Sequence, residues 1–96
     1  MLPISKRFKQ SEVPQFKDTF GWASYRLGKY NDARLLFESA IKQMPGNPDF
    51  HYHLGMNYLA NKEISQARQE LEKALKLAGD NSFNKSDQIR TTLEKL

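Results

Sequence analysis

One internal repetition constrains this chain more than any other feature: the residue types of 14–47 return, position by position, over 48–81. In that alignment Pro14 pairs with Pro48, Phe16 with Phe50, Gly21 with Gly55, Ala33 with Ala67 and Arg34 with Arg68. Glu38 then pairs with Glu72, Ala40 with Ala74, Lys42 with Lys76 and Asn47 with Asn81. Apolar character without identity is kept at Phe20 and Leu54, Tyr25 and Leu59, Tyr30 and Ile64, Phe37 and Leu71, and Ile41 and Leu75. Ordinary composition would give about two identities at one fixed offset. Similarity at this spacing marks an array of stacked helical hairpins, each unable to bury its apolar face alone.

Composition narrows the reading. The 96 residues make one domain at most. With 39% hydrophobic and 27% charged residues the chain is rich enough in apolar side chains to order. Cysteine is absent, which excludes disulfides, cysteine zinc sites and thiol chemistry but does not fix the compartment. No apolar run approaches the roughly 20 residues a membrane span needs. The opening MLPISKRFKQ has basic residues without the apolar core of a secretory signal. The net charge of +4 sits in the first half: residues 1–13 hold three basic and one acidic residue, residues 14–47 five and three, and the rest seven of each. Such a mild excess is weak support for a nucleic-acid or membrane partner.

Taken in order, residues 1–13 place Ile4, Phe8 and Val13 among Lys6, Arg7 and Lys9. They read either as the remnant of a preceding unit or as a basic arm. A first helix is expected over 15–27, with Pro14 at its start, Asp18 in its first turns and Gly28 as its left-handed stop. A second is expected from Asn31 to Gln43 or Met44, with the stripe Ala33, Leu36, Phe37, Ala40 and Ile41. Pro45-Gly46-Asn47-Pro48 breaks the chain. A third helix is expected over 48–61, with Asp49 in its first turn and Asn61-Lys62 where the first unit has Leu27-Gly28. Asn, the residue most tolerant of a left-handed backbone after Gly, is expected to keep that turn. A fourth spans 65–78, with Ile64, Ala67, Leu71, Ala74, Leu75 and Ala78 on one stripe. After a loop over 79–82, a last helix from Asn84 or Ser86 to Leu96 carries Ile89, Leu93 and Leu96, and is expected to cap the second hairpin.

These residues resemble the tetratricopeptide repeat family. Its helix-turn-helix unit places a large residue then Gly in the first helix and small residues in the second. Residues 14–47 supply Phe20-Gly21, Ala33, Phe37, Ala40 and Pro45; residues 48–81 supply Leu54-Gly55, Tyr58, Ala67, Leu71 and Ala74. The small residues let the paired helices approach closely and the large ones fill the remaining space. The sequence departs from the family at Lys17 and His51, where Trp is usual, at Ser24, where Tyr is usual, and at Gly79, where Pro is usual. The resemblance implies an all-α fold: two antiparallel hairpins, 14–47 and 48–81, stacked as a short α-solenoid, with 82–96 as a capping helix. A looser similarity, through Asp18-Thr19-Phe20-Gly21-Trp22 and His51-Tyr52-His53-Leu54-Gly55-Met56, links the chain to the C-terminal part of large bacterial repeat proteins associated with envelope protein sorting and exopolysaccharide export.

In such arrays the first helix of each unit lines a concave groove. Register with the family assigns to it Gln15, Asp18, Trp22, Tyr25 and Arg26, then Asp49, Tyr52, Met56, Leu59 and Ala60. Trp22, Tyr25, Tyr52 and Met56 are expected to form its aromatic and thioether surface, with Asp18, Arg26 and Asp49 at the rim. The alternative for Trp22 and Tyr25 is packing against the third helix or cover by the segment before Pro14. Some family members grip a chaperone's C-terminal carboxylate through Lys, Asn and Arg. Asp18, Trp22 and Tyr52 stand at such places here and supply no cationic set. An apolar helix or extended peptide held by packing is the ligand that fits.

Other chemistries find little support. His51 and His53 lie about 200° apart around a helix, so their rings diverge, and helical zinc pairs use an i,i+4 spacing; they read as solvent-facing or groove-edge residues. There is no nucleophile elbow, no glycine-rich phosphate loop and no carboxylate pair with a plausible pocket. The expectation is therefore a protein-binding scaffold, not an enzyme, with neither cofactor nor metal. Self-association through an open Phe8/Phe16 end is the alternative, since two units are fewer than the three or so a free-standing stack needs. A nucleic-acid role for Lys6-Arg7-Phe8-Lys9 comes last.

Overall fold

The computed structural model describes residues 13–78 and 85–96. The expected basic arm, with Ile4 and Phe8, and the loop over 79–82 lie outside them. Among the described residues there are five helices: α1 (Pro14–Arg26), α2 (Tyr30–Gln43), α3 (Pro48–Ala60), α4 (Ile64–Ala78) and α5 (Ser86–Glu94). Each helix lies within two residues of the expected one at both ends. α1 packs on α2 and α3 on α4 as two hairpins; α2 and α3 join the hairpins, and α5 packs on α4.

The hairpins close because the sequence puts its smallest residues where helices touch. A Cβ built on Gly21 would stand 2.7 Å from the Phe37 ring, and one built on Gly55 2.8 Å from the Leu71 side chain. Ala33, Phe37 and Ala40 of α2, and Ala67, Leu71 and Ala74 of α4, are fully buried. One part of the core gathers Ala33, Phe37 and Leu54, and the other Leu71, Ala74, Ala78 and Ile89. Leu93 and Leu96 pack against the second part, so the expected stripe of α5 does cap the second hairpin. Ile64 lies at the edge of the α4 stripe and stays exposed.

The two hairpin turns are superimposable in their hydrogen bonds. Gly28 N–H donates to Tyr25 O (3.0 Å) and Lys29 N–H to Ser24 O (2.8 Å). At the equivalent positions of the second hairpin, Lys62 N–H donates to Leu59 O (3.0 Å) and Glu63 N–H to Tyr58 O (2.9 Å). Both are Schellman turns, which need one residue in the left-handed region. Gly28 supplies it with φ +83°. The second turn is kept as expected, but the residue that adopts φ +66° is Lys62; Asn61 remains at φ −87°. The hydrogen-bond pattern fixes the left-handed position one residue beyond the helix cap, so the more tolerant Asn cannot take it.

Polar contacts tie the elements further. Asn47 Oδ1 accepts from Asp49 N–H at 2.9 Å and caps α3, whereas Val13 gives α1 no side-chain cap. Asn57, buried in α3, donates from Nδ2 to Tyr30 O at the start of α2 (3.0 Å), while its Oδ1 has no protein partner. Tyr58 Oη donates to Glu38 Oε2 (3.3 Å), and Glu38 also meets Arg34. Burial, with Glu38 beside it, pushes the Tyr58 hydroxyl up to about 12.

Candidate functional site

The helices α1 and α3 hold a continuous line of rings. Trp22 and Tyr25, one helical turn apart on α1, stack with centroids 4.6 Å apart and planes 18° from parallel. Trp22 meets His53 of α3 at 4.4 Å, and His53 meets its neighbour Tyr52 at 5.5 Å. At the other end Tyr25 approaches Tyr30 at 6.1 Å. Lys85, just before α5, places its ammonium 5.2 Å from the centre of the Tyr52 ring. All five rings are half-buried. Rings that are partly exposed and packed against one another lose little freedom when a partner covers them.

Trp22 therefore packs against the third helix and still keeps part of its ring open, so both sequence readings of it hold in part. Tyr52 and Met56 both pack against the core that α5 closes. Tyr52 Oη also reaches Gln88 Oε1 of α5 (3.4 Å). Burial, then Tyr25 and Asp49, raises the Tyr52 pKa above the usual phenolic value, so it stays a neutral hydroxyl. Leu59 and Ala60 are half-buried at the end of α3, and Arg26 is exposed at the end of α1. Gln15 is exposed and turns towards Met44. Asp49, 48% exposed, stands 3.6 Å from Lys85, an ion pair too exposed to contribute much.

Two expectations need correction. Asp18 lies beyond the first turn of α1, and its carboxylate does not stand free at a rim. Both its oxygens lie 2.8 Å from His53 Nδ1, with the Asp18 side chain 13% exposed. It holds the His53 ring in place between Trp22 and Tyr52. His53 itself is the site residue that sequence reasoning missed. Its counterpart one unit earlier is Thr19, so the repeat gave no signal for it; the stacking on Trp22 exists only when α1 and α3 lie side by side.

The second correction is His51, which is only 5% exposed. Its Nδ1 lies 2.7 Å from Glu70 Oε1 and its Nε2 2.9 Å from Pro45 O. Both neighbours accept hydrogen bonds, so only the doubly protonated ring satisfies both. The Glu70 contact chiefly raises its pKa above 6.5, against burial, which lowers it. The rings of His51 and His53 serve different partners, and among the described residues no three His, Asp or Glu side chains converge as metal ligands. His51 also lines a pocket of about 370 Å³, together with Ile41, Pro45, Lys73, Lys76 and Leu77.

Stacked hairpins with close small-residue contacts and a terminal cap define a helical repeat protein. The tetratricopeptide repeat family matches residues 25–83, more than half of the chain, and the protein belongs to that family. Repeats of this kind mediate protein–protein interaction and are typically non-catalytic scaffolds. No solved structure matches the chain. Among the described residues no helix is long and apolar enough to cross a membrane.

Proposed function

We propose that the protein holds a peptide or helix of a partner protein against α1 and α3, anchored on the rings from Tyr25 through Trp22 and His53 to Tyr52. The observation that carries this reading is the braced ring series itself. Four rings from two helices lie within 5.5 Å of their neighbours, all half-buried, and Asp18 holds one of them, His53. Aromatic side chains held in one rotamer give contact area with little ordering on binding. Arg26 at one end and Asp49 with Lys85 at the other supply a polar rim. The partner that suits such a surface is an apolar segment, helical or extended, with polar flanks.

The chain has one tryptophan, and it stands in this surface, so its fluorescence reports binding directly. A random peptide library displayed on phage should yield binders that shift Trp22 emission. Trp22→Ala together with Tyr52→Ala should keep the helical circular dichroism and weaken those binders by about a hundredfold. Unchanged affinity in a folded double variant would remove the ring surface from consideration. A second reading, association of two copies through the open end of the stack, draws on the exposure of Phe16 and Phe20. Sedimentation over a range of concentrations separates it from the first.

A further inference from the structure

The two hairpins treat one equivalent place in opposite ways. In the first, Lys17 of α1 reaches over to α2, its ammonium donating to Ser39 Oγ (2.8 Å) and Gln43 Oε1 (2.9 Å). One unit later these three residues are His51, Lys73 and Leu77, and none of that contact can be remade. His51 has both ring nitrogens bonded, to Glu70 and to Pro45 O. Lys73 can only donate, and Leu77 has no polar side-chain atom. Instead the three residues line the pocket of about 370 Å³, with Ile41, Pro45 and Lys76.

We propose that this pocket binds a small monocarboxylate with an apolar body, the carboxylate held by Lys73 and Lys76 and the body laid against Ile41, Leu77 and the ring carbons of His51. The lining holds two ammonium groups and no carboxylate. Lys73 and Lys76 stand one helical turn apart, so both can reach the same anion. Glu70 does not cancel them. Its Oε1 is engaged by His51 at 2.7 Å, and its Oε2 stands 3.8 Å from Lys73 Nζ, beyond hydrogen-bond reach. No carboxylate among the described residues pairs with Lys76. Two like charges beside an apolar floor favour an anion, and the low polarity of the floor strengthens the attraction. Leu77, 43% exposed, and the half-buried Ile41 have apolar surface left to cover. The occupant is compact, because the lining spans only one turn of α4 and the end of α2, too short a track for a helix or an extended peptide. The volume also falls at the small end of ligand pockets, which run from about 300 to 1,000 Å³. His51 and His53 point about 200° apart around α3, so the pocket lies on another side of that helix from the ring series and does not depend on it.

The test uses the intact protein and octanoate as the probe, kept below its micelle concentration. Methyl signals of Ile41 and Leu77 in nuclear magnetic resonance spectra should shift and saturate, with the Trp22 ring signals unmoved. Octylamine, with the same body and the opposite charge, and acetate, with the head and no body, should each bind about tenfold or more weakly. Lys73→Gln combined with Lys76→Gln, both at exposed positions, should weaken octanoate about tenfold and leave octanol binding unchanged. Leu77→Gln, which restores the residue type of the first hairpin, should weaken octanoate and octanol alike. Circular dichroism checks that each variant keeps its helices. Octylamine binding as tightly as octanoate would overturn the proposal, as would octanoate binding indifferent to the lysine double variant. Saturating shifts confined to Trp22 and the rings beside it would also overturn it, by placing the probe in the ring series. So would the absence of any saturable shift with octanoate at millimolar concentration.

Discussion

The two hairpins share a plan but not an environment, and the contrast separates what a repeat unit encodes from what its neighbours contribute. The second hairpin has α2 on one side and α5 on the other, and its first helix begins with the Asn47 cap. The first has a neighbour on one side only among the described residues and starts without a side-chain cap. Equivalent residues therefore do unequal work. Phe50 is core, whereas Phe16 is surface. His51 is a buried clamp between α4 and Pro45, whereas Lys17 at the same place reaches Ser39 Oγ (2.8 Å) and Gln43 Oε1 (2.9 Å) from the half-exposed side. The small-residue contacts close each unit, and stacking on α2 adds to the burial of Leu54 in the second.

The largest expected effect breaks this contrast directly. Phe50→Ala should lower the free energy of unfolding by about 3–5 kcal/mol, and Phe16→Ala by less than about 1 kcal/mol, since only the first opens a cavity. Equal losses in urea denaturation would mean that the two hairpins are equally stacked in solution. The next effect concerns the tight contacts. Gly55→Ala should cost about 2–3 kcal/mol, because the added methyl also stands 3.3 Å from the Leu71 backbone nitrogen, which cannot move aside. Gly21→Ala meets only the Phe37 ring, in the less confined hairpin, and should cost about 1–2 kcal/mol. A reversed order would place the weaker packing in the second unit.

His51 should make the second hairpin sensitive to pH. Its pKa is raised in the folded chain, so the stability it adds is complete below the unfolded value of 6.5 and is lost as pH rises through the higher folded value. Glu70, its ion-pair partner, and Lys73 beside it set that balance. His51→Gln should cost about 1–2 kcal/mol on the acid side and flatten the fall of the thermal midpoint as pH rises above 6.5. A variant as pH-dependent as the parent would assign the effect elsewhere. The smallest change is a gain: Lys62→Gly should stabilise by about 0.5–1 kcal/mol by relieving the left-handed lysine. Gly28→Lys, the mirror experiment, should lose about as much, both read from thermal melts.

Much of this was legible in the sequence, and for definite reasons. Helix positions, the left-handed Gly28, the contact glycines and the stripe of α5 all follow from spacing within one element, which sequence periodicity reports well. The ring wall was half legible: Trp22, Tyr25 and Tyr52 fell in register, but His53 did not, because it faces Trp22 from a different helix. The Asp18–His53 and His51–Glu70 pairs, each joining two helices, were hidden for the same reason. A polar residue on a helix declares no partner until a second helix is laid beside it. Lys62 rather than Asn61 takes the left-handed position because the turn's hydrogen bonds, not the tolerance of a residue type, decide it.

Asn57 carries a last consequence. Greasy helix faces can slide along one another with little change in energy, so two hairpins joined by such faces alone would have an ill-defined pitch. The amide of Asn57 meets the Tyr30 carbonyl at one setting only, and a slip of a single turn would leave it stranded in a dry place. That hydrogen bond thus acts as the detent of a ratchet: with the Asp18–His53 and Tyr58–Glu38 contacts it sets the angle at which the second hairpin leaves the first.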